Sequence, residues 1–159
     1  MPHLKAAYNL ARWLLRSEQD AADVVHDSFL RAHRYFDSFD SADGKGWLLS
    51  IVRNTCFDFL RKSKTQPSRN GEMEQHAPED ASPERRMMLK QDLQMLRHCI
   101  ESLPPEYRVV VVMRELEELS YKEISEVAGV AMGTVMSRLN RGRIRLENCL
   151  TGKKKGMQE

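Results

Sequence analysis

Residues Leu119 to Leu150 read LSYKEISEVAGVAMGTVMSRLNRGRIRLENCL, and two helices meeting at a tight turn are written into them. Ser120 and Glu123 have the S-x-x-E spacing of a capping box, in which the serine oxygen accepts a backbone N–H three residues on and the glutamate reaches back. A helix should begin at about Tyr121, bury Ile124, Val127 and Ala128, and end at Gly129, where a tight turn needs positive φ. Ser125 is small enough to let a crossing helix come close. A second helix is expected from about Gly133–Thr134. Val135, Leu139, Gly142, Leu146 and Leu150 fall on one side of it. Ser137, Arg138, Asn140, Arg141 and Arg145 fall largely on the other. Such a helix fits the major groove of duplex DNA, where Arg and Asn make paired hydrogen bonds to guanine and adenine edges. Any solvated helix can be Arg-rich and any αα-corner mimics this geometry, so the rest of the chain decides.

The chain has 159 residues, enough for one or two small domains. Its 25 Lys and Arg nearly balance 23 Asp and Glu, so contact with nucleic acid must come from local patches rather than bulk charge. Aromatic residues make up only 7% and charged ones 30%, which suits a helical, partner-binding protein better than a β-sandwich or a large-cored enzyme. Cys56, Cys99 and Cys149 are odd in number and far apart, so neither a disulfide framework nor a zinc site is signalled. On the same grounds no redox switch is expected. His26 and His33 lie too far apart on one helix for the i, i+4 pairing of helical metal sites; no metal and no cofactor is expected. No signal peptide is visible, and the longest apolar run, Val109 to Met113, is far short of the ~20 residues of a membrane span. A cytoplasmic protein is expected.

The pattern predicts an all-α chain of two small helical domains joined by a flexible linker. In residues 1–64, one helix runs from about His3 to Arg16 with Leu4, Ala7, Ala11 and Leu14 inward. Ser17 caps a second, reaching about Phe36, with Ala22, Val25, Phe29, Ala32 and Phe36 at helical spacing. A polar loop covers Asp37 to Gly44, and a third helix from about Lys45 to Lys62 buries Leu48, Ile51, Val52, Thr55 and Phe59. Residues 65–83 are polar and lose the apolar period, the mark of a linker with too little apolar surface to offset ordering. In residues 84–152, a helix carries Leu89, Leu93, Leu96, Ile100 and Leu103 on one stripe, Pro104-Pro105 ends it and starts the next, and the helix-turn-helix follows. The tail 153–159 reads as a solvated basic end. Blocks of about 60 residues hold only marginal cores, and such domains gain stability by docking on something larger.

Three stretches taken in order resemble a known layout: DAADVVHDSFLRAHRYFDSF from Asp20, WLLSIVRNTCFDFLRK from Trp47, and LPPEYRVVVVMRELEELSYKEISEVAGVAMGTVMSRLNRGRIRL from Leu103. They are similar to the extracytoplasmic-function group of bacterial sigma factors, the two-domain members of the sigma-70 family. The resemblance implies a promoter-specificity subunit of RNA polymerase, not an enzyme, with core polymerase and promoter DNA as partners and an anti-sigma factor as a further one. It implies that Asp23, His26, Asp27, Leu30, Arg31 and Arg34 grip core polymerase. It implies that Arg53, Asn54, Phe57, Asp58, Arg61 and Lys62 serve the -10 element, the cations on phosphates and Phe57 as a candidate stacking ring. Trp47 is expected in the core. For the -35 element it implies Thr134, Met136, Ser137, Arg138, Asn140, Arg141 and Arg145. The family commonly carries Gln where His26 stands and a basic residue where Met136 stands. Asp27 and Arg31 also read as a plain i, i+4 surface pair, worth a few tenths of a kcal/mol.

Two other classes compete. A stand-alone helix-turn-helix regulator would bind duplex DNA without polymerase and need a dimerisation element, for which the Leu89 to Leu103 stripe is the candidate; the sigma-like chain is expected to be a monomer when free. A recombinase-type enzyme would need a nucleophile or a carboxylate cluster for metal-assisted phosphoryl transfer. The one compact set, Asp20, Asp23 and Asp27, lies on a helix face and looks like a surface for a basic partner.

Overall fold

The computed structural model describes residues 3–36, 44–63 and 82–158, with side chains up to 152. Residues 37–43 of the expected loop and 65–81 of the expected linker lie outside the described residues, whereas Gly44 and Pro83 open helices. Among the described residues the chain is helical, in the order α1 (Leu4–Leu15), α2 (Glu18–Arg34), α3 (Gly44–Ser63), α4 (Pro83–Glu101), α5 (Pro105–Val111), α6 (Tyr121–Ala128) and α7 (Met132–Gln158). Between α5 and α6 the chain runs on through one wide π-helical turn, Val112–Leu116.

The start signals work as local chemistry. Ser17 accepts the N–H of Asp20 at 3.3 Å and opens α2. Ser82 does the same for Arg85 before α4, with proline in the first turn, where a missing N–H costs nothing. The Ser120–Glu123 capping box is complete, both of its hydrogen bonds being 3.1 Å. Gly129 ends α6 at φ 67°, a left-handed conformation that only glycine takes without strain. Helix α7 starts a residue or two earlier than the sequence suggests and runs on through the basic tail to Gln158.

Two inner faces differ from expectation. In α2 the buried residues are Ala21, Val24, Val25, Ser28 and Ala32, whereas Ala22 and Phe36 are exposed. Ser28 enters the core because its hydroxyl donates to the Val24 carbonyl at 2.7 Å, which satisfies the polar group where it is buried. In α1, Leu4 is exposed, and Leu10 and Arg12 are buried instead, with Ala7, Ala11, Leu14 and Leu15.

Helices α1–α3 bundle around Leu10, Leu14, Leu49 and Val52, and α5–α7 pack around the Val109–Met113 run with Ile124, Val135 and Leu139; these residues form one continuous core. The seam is made by α3 against α6 and by α1 against α5. Across it the guanidinium of Arg108, 3% exposed, donates to the carbonyls of Leu14 at 2.8 Å and Trp13 at 3.2 Å. The same group donates to Leu103 on its own side. Arg16 donates across the seam to the Glu101 carbonyl. Burial lowers the Arg108 pKa to about 10, so the group remains a cation at neutral pH.

The cysteines correct the sequence reading. Cys99 of α4 and Cys149 of α7 form a disulfide, with their Cα atoms 5.7 Å apart and 50 residues between them in sequence. Cys56 is free and buried.

Candidate nucleic-acid interface

Helix α7 presents two unlike sides. Val135 and Leu139 are 0% and 1% exposed, and Gly142 lies flat on α5. Met136, Ser137, Asn140, Arg141 and Arg145 are exposed on the remainder, with Thr134 and Arg138 half-buried. The helix is therefore held by one face with its polar, donor-rich surface free, the arrangement that a base-reading helix needs. Residues outside the helix fix its pose. Glu115 accepts from Arg143 at 2.8 Å and raises the Arg143 pKa through that bond. The Arg145 guanidinium lies 5.1 Å from the Tyr107 ring centroid. Arg114 donates to the Leu119 carbonyl at 2.9 Å and sits over Tyr121, which ties the π-helical turn to the start of α6. In the turn of the motif, Ser125 donates to the Val130 carbonyl.

The second set lies on α3. Arg53 donates to Asn54 Oδ1 at 3.0 Å and stacks 4.3 Å over the Phe57 ring. Asp58 pairs with Arg61. Phe57, expected to stand free among basic residues, is half-buried beneath Arg53 and packed against the core. Trp47 also packs there. Arg53, Asn54, Phe57, Asp58, Leu60 and Arg61 line a cleft of about 650 Å³ whose other wall is Pro104, Pro105 and Glu106. The α3 face is thus opposed by the first turn of α5 rather than open on all sides. The Arg53 pKa is lowered, first by burial and then by Arg138 of α7 nearby. Its Nε is buried and has no hydrogen-bond partner among the described residues. Lys62 is exposed at the end of α3.

The third set is on α2. Asp23, His26, Leu30 and Arg34 are exposed, Leu30 by 55%. Arg31 pairs with Asp27 at 3.3 Å, as the i, i+4 reading expects, and also reaches Asp58 of α3 at 3.7 Å. That second bridge joins the α2 set to the α3 set. These two pairs and Asp58–Arg61 are solvated, so each contributes at most about 1 kcal/mol.

Sequence reading missed the supporting residues. Arg108 stands beside an apolar run and looks like a surface charge until α1 is brought over it. Tyr107 and Glu115 carry no motif. Among the described residues no group of three or more His, Cys, Asp or Glu side chains is placed to hold a metal ion. No helix among them is long and apolar enough to cross a membrane.

Comparison with known proteins matches residues 1–66 to "Sigma-70 region 2" and residues 93–146 to "Sigma-70, region 4". The chain is 35% identical over 153 residues to the ECF RNA polymerase sigma factor SigE of Mycolicibacterium smegmatis, covering 93% of this chain and 58% of that protein. It is 36% identical over 140 residues to the ECF RNA polymerase sigma-E factor of Salmonella typhimurium, covering 81% and 73%. Among solved structures, it resembles the sigma factor RpoE from Bartonella quintana in complex with the anti-sigma factor NepR, with a TM-score of 0.74 and 28% identity over 94% of this chain and 92% of that one.

Proposed function

This chain belongs to the extracytoplasmic-function sigma factors of the sigma-70 family, and we propose that it acts as a promoter-specificity subunit of RNA polymerase in the cytoplasm. The observation that carries the proposal is the order of a region 2 match and a region 4 match in one chain, the latter ending on a helix anchored by Val135 and Leu139 with Ser137, Asn140 and Arg141 exposed. Such a factor catalyses nothing. It supplies binding energy that selects where polymerase starts.

The division of labour proposed is the one the family resemblance implies, and the exposure of the side chains supports it. The α2 set of Asp23, His26, Asp27, Leu30, Arg31 and Arg34 offers acids, a cation pair and one bare leucine to core polymerase. The α3 set offers cations for phosphates; its ring, Phe57, can take a melted base, at about 1–3 kcal/mol, only once Arg53 moves off it. Opening the duplex is then driven by trapping unpaired bases rather than by chemical energy. The α7 set reads the upstream duplex through base edges, with Arg141 donating twice to a guanine and Asn140 donating to N7 and accepting from N6 of an adenine. Reaching both elements requires the α1–α5 and α3–α6 seam to part, since the α3 cleft is walled by Pro104–Glu106 in the closed chain. Likeness over nearly the whole chain to a sigma factor bound by an anti-sigma factor supports a partner that favours this closed form.

The test is transcription by purified core polymerase with and without this protein on genomic fragments, followed by sequencing of transcript starts. New starts sharing an upstream and a -10 element are expected. A protein that binds duplex DNA alone and adds no starts to core polymerase would overturn the proposal in favour of a stand-alone regulator.

A further inference from the structure

We infer that Met136, with Met132 one turn before it, reads the C5-methyl group of thymine in the upstream duplex. The element this chain recognises then carries a T·A pair where the first turns of α7 enter the groove. The inference rests on α7 being the base-reading helix.

Met132 and Met136 are 44% and 49% exposed, while Val135 and Leu139 on the adjoining face are 0% and 1% exposed. The fold therefore has a core within reach of this helix and leaves these two long apolar side chains outside it. Met132, Met136 and Asn140 stand at i, i+4 and i+8, so they form one row that begins apolar and ends in an amide. Ser137 is small, uncharged and exposed beside that row. Gly133 is exposed too, and a Cβ added there would meet nothing within 4 Å. Among the described residues nothing packs against this position, so the helix surface is open there.

The chemistry of that something is narrow. A thioether has no donor and is only a weak acceptor, so it cannot discriminate the N7, O6, N6 and N4 groups of the base edges. The one apolar feature on the major-groove floor is the thymine methyl. Methionine is unbranched and polarisable, and adapts its tip to such a target. Two side chains are far too little surface for a stable protein interface, which takes about 800 Å² per partner. Within a DNA interface they need only add discrimination at one or two base pairs.

The experiment uses holoenzyme reconstituted from core polymerase and the full chain. The probe is a duplex promoter with a fixed -10 element and one helical turn of upstream sequence randomised. Each thymine in the selected element is then replaced by deoxyuridine, which removes the methyl and nothing else. Binding should fall about fourfold at one or two positions, the worth of one buried methyl-sized group. Placing 5-methylcytosine in a C·G pair at the same position should bind better than cytosine. With Met136→Ala the thymine and deoxyuridine promoters should bind alike, and Met136→Leu should keep the difference. Upstream selection with no deoxyuridine effect, or an effect unchanged in Met136→Ala, overturns the inference alone. Absence of any upstream selection overturns the assignment of α7 and the inference with it.

Discussion

The Arg108 guanidinium on α5 closes the C-terminal end of α1 by donating to the Leu14 carbonyl at 2.8 Å. The last carbonyls of a helix have no partner within it, and here a buried cation from 94 residues further along the chain supplies one. Charge-assisted bonds of this kind are also oriented well at the negative end of the helix dipole. One side chain thus joins the first helix of the chain to the C-terminal block.

Replacing Arg108 with Met should cost about 2–3 kcal/mol in urea unfolding, because buried carbonyls of Trp13, Leu14 and Leu103 lose their donors. Hydrogen exchange at the C-terminal end of α1 should rise with it. Arg108→Lys should recover only part of the loss, since an ammonium cannot span carbonyls on two sides as the planar fork does. A Met variant as stable as the parent would show that the seam is held by apolar packing alone.

The Cys99–Cys149 bridge closes a long span and should stabilise the oxidised chain by about 4 kcal/mol in the chain-entropy limit. Maleimide labelling after denaturation should find one thiol, Cys56, in oxidised protein and three after reduction. Reduction or Cys149→Ser should lower the melting temperature. It should leave upstream base preferences intact, because Val135 and Leu139 anchor the reading half of α7 independently.

Burial pushes the Cys56 thiol up from 9.0 to about 12. The unfolded chain therefore releases this proton near pH 9 and the folded chain only near 12. The contribution to stability is intact below pH 9 and is lost as pH rises toward 12, by about 1.4 kcal/mol per unit. Cys56→Ala should flatten that slope in unfolding measured between pH 8.5 and 10.5, relative to the parent. Native protein should resist iodoacetamide at pH 8.

Gly142 and Gly133 lie on one helix and should respond to alanine with opposite signs. A Cβ at Gly142 would meet Val111 Cγ2 at 2.8 Å, and that β-branched side chain is fully packed and stiff. Gly142→Ala should destabilise by about 1–3 kcal/mol through overpacking. Gly133→Ala meets nothing and should stabilise by up to about 1 kcal/mol through helix propensity. Thermal melts of the two variants check both signs.

Local chemistry was the legible part of the sequence. Ser17, Ser120, Glu123 and Gly129 act within a few residues, and each sits where its helix starts or stops. The exposed face of α7 was legible for the same reason, since Val135 and Leu139 mark the inner side by period alone. What depends on three-dimensional packing was not. Cys99 and Cys149 meet only because α4 and α7 pack together. Ser28 and Arg108 break the rule that polar residues face water, and each does so by carrying its own hydrogen-bond solution inward. Phe57 looked free because the first turn of α5, which faces it, lies nearly 50 residues away in sequence.

Arg53 and Arg138 bring two cations of the candidate DNA surfaces close enough that one depresses the other, after burial has done the larger part. In dilute buffer their repulsion works against the closed chain, and added salt screens it. Salt also weakens any hold on the phosphate backbone, because each released counterion gains less entropy in a more concentrated solution. Under the proposed function, ionic strength acts twice in the same direction, steadying the shut form and loosening a DNA-bound one.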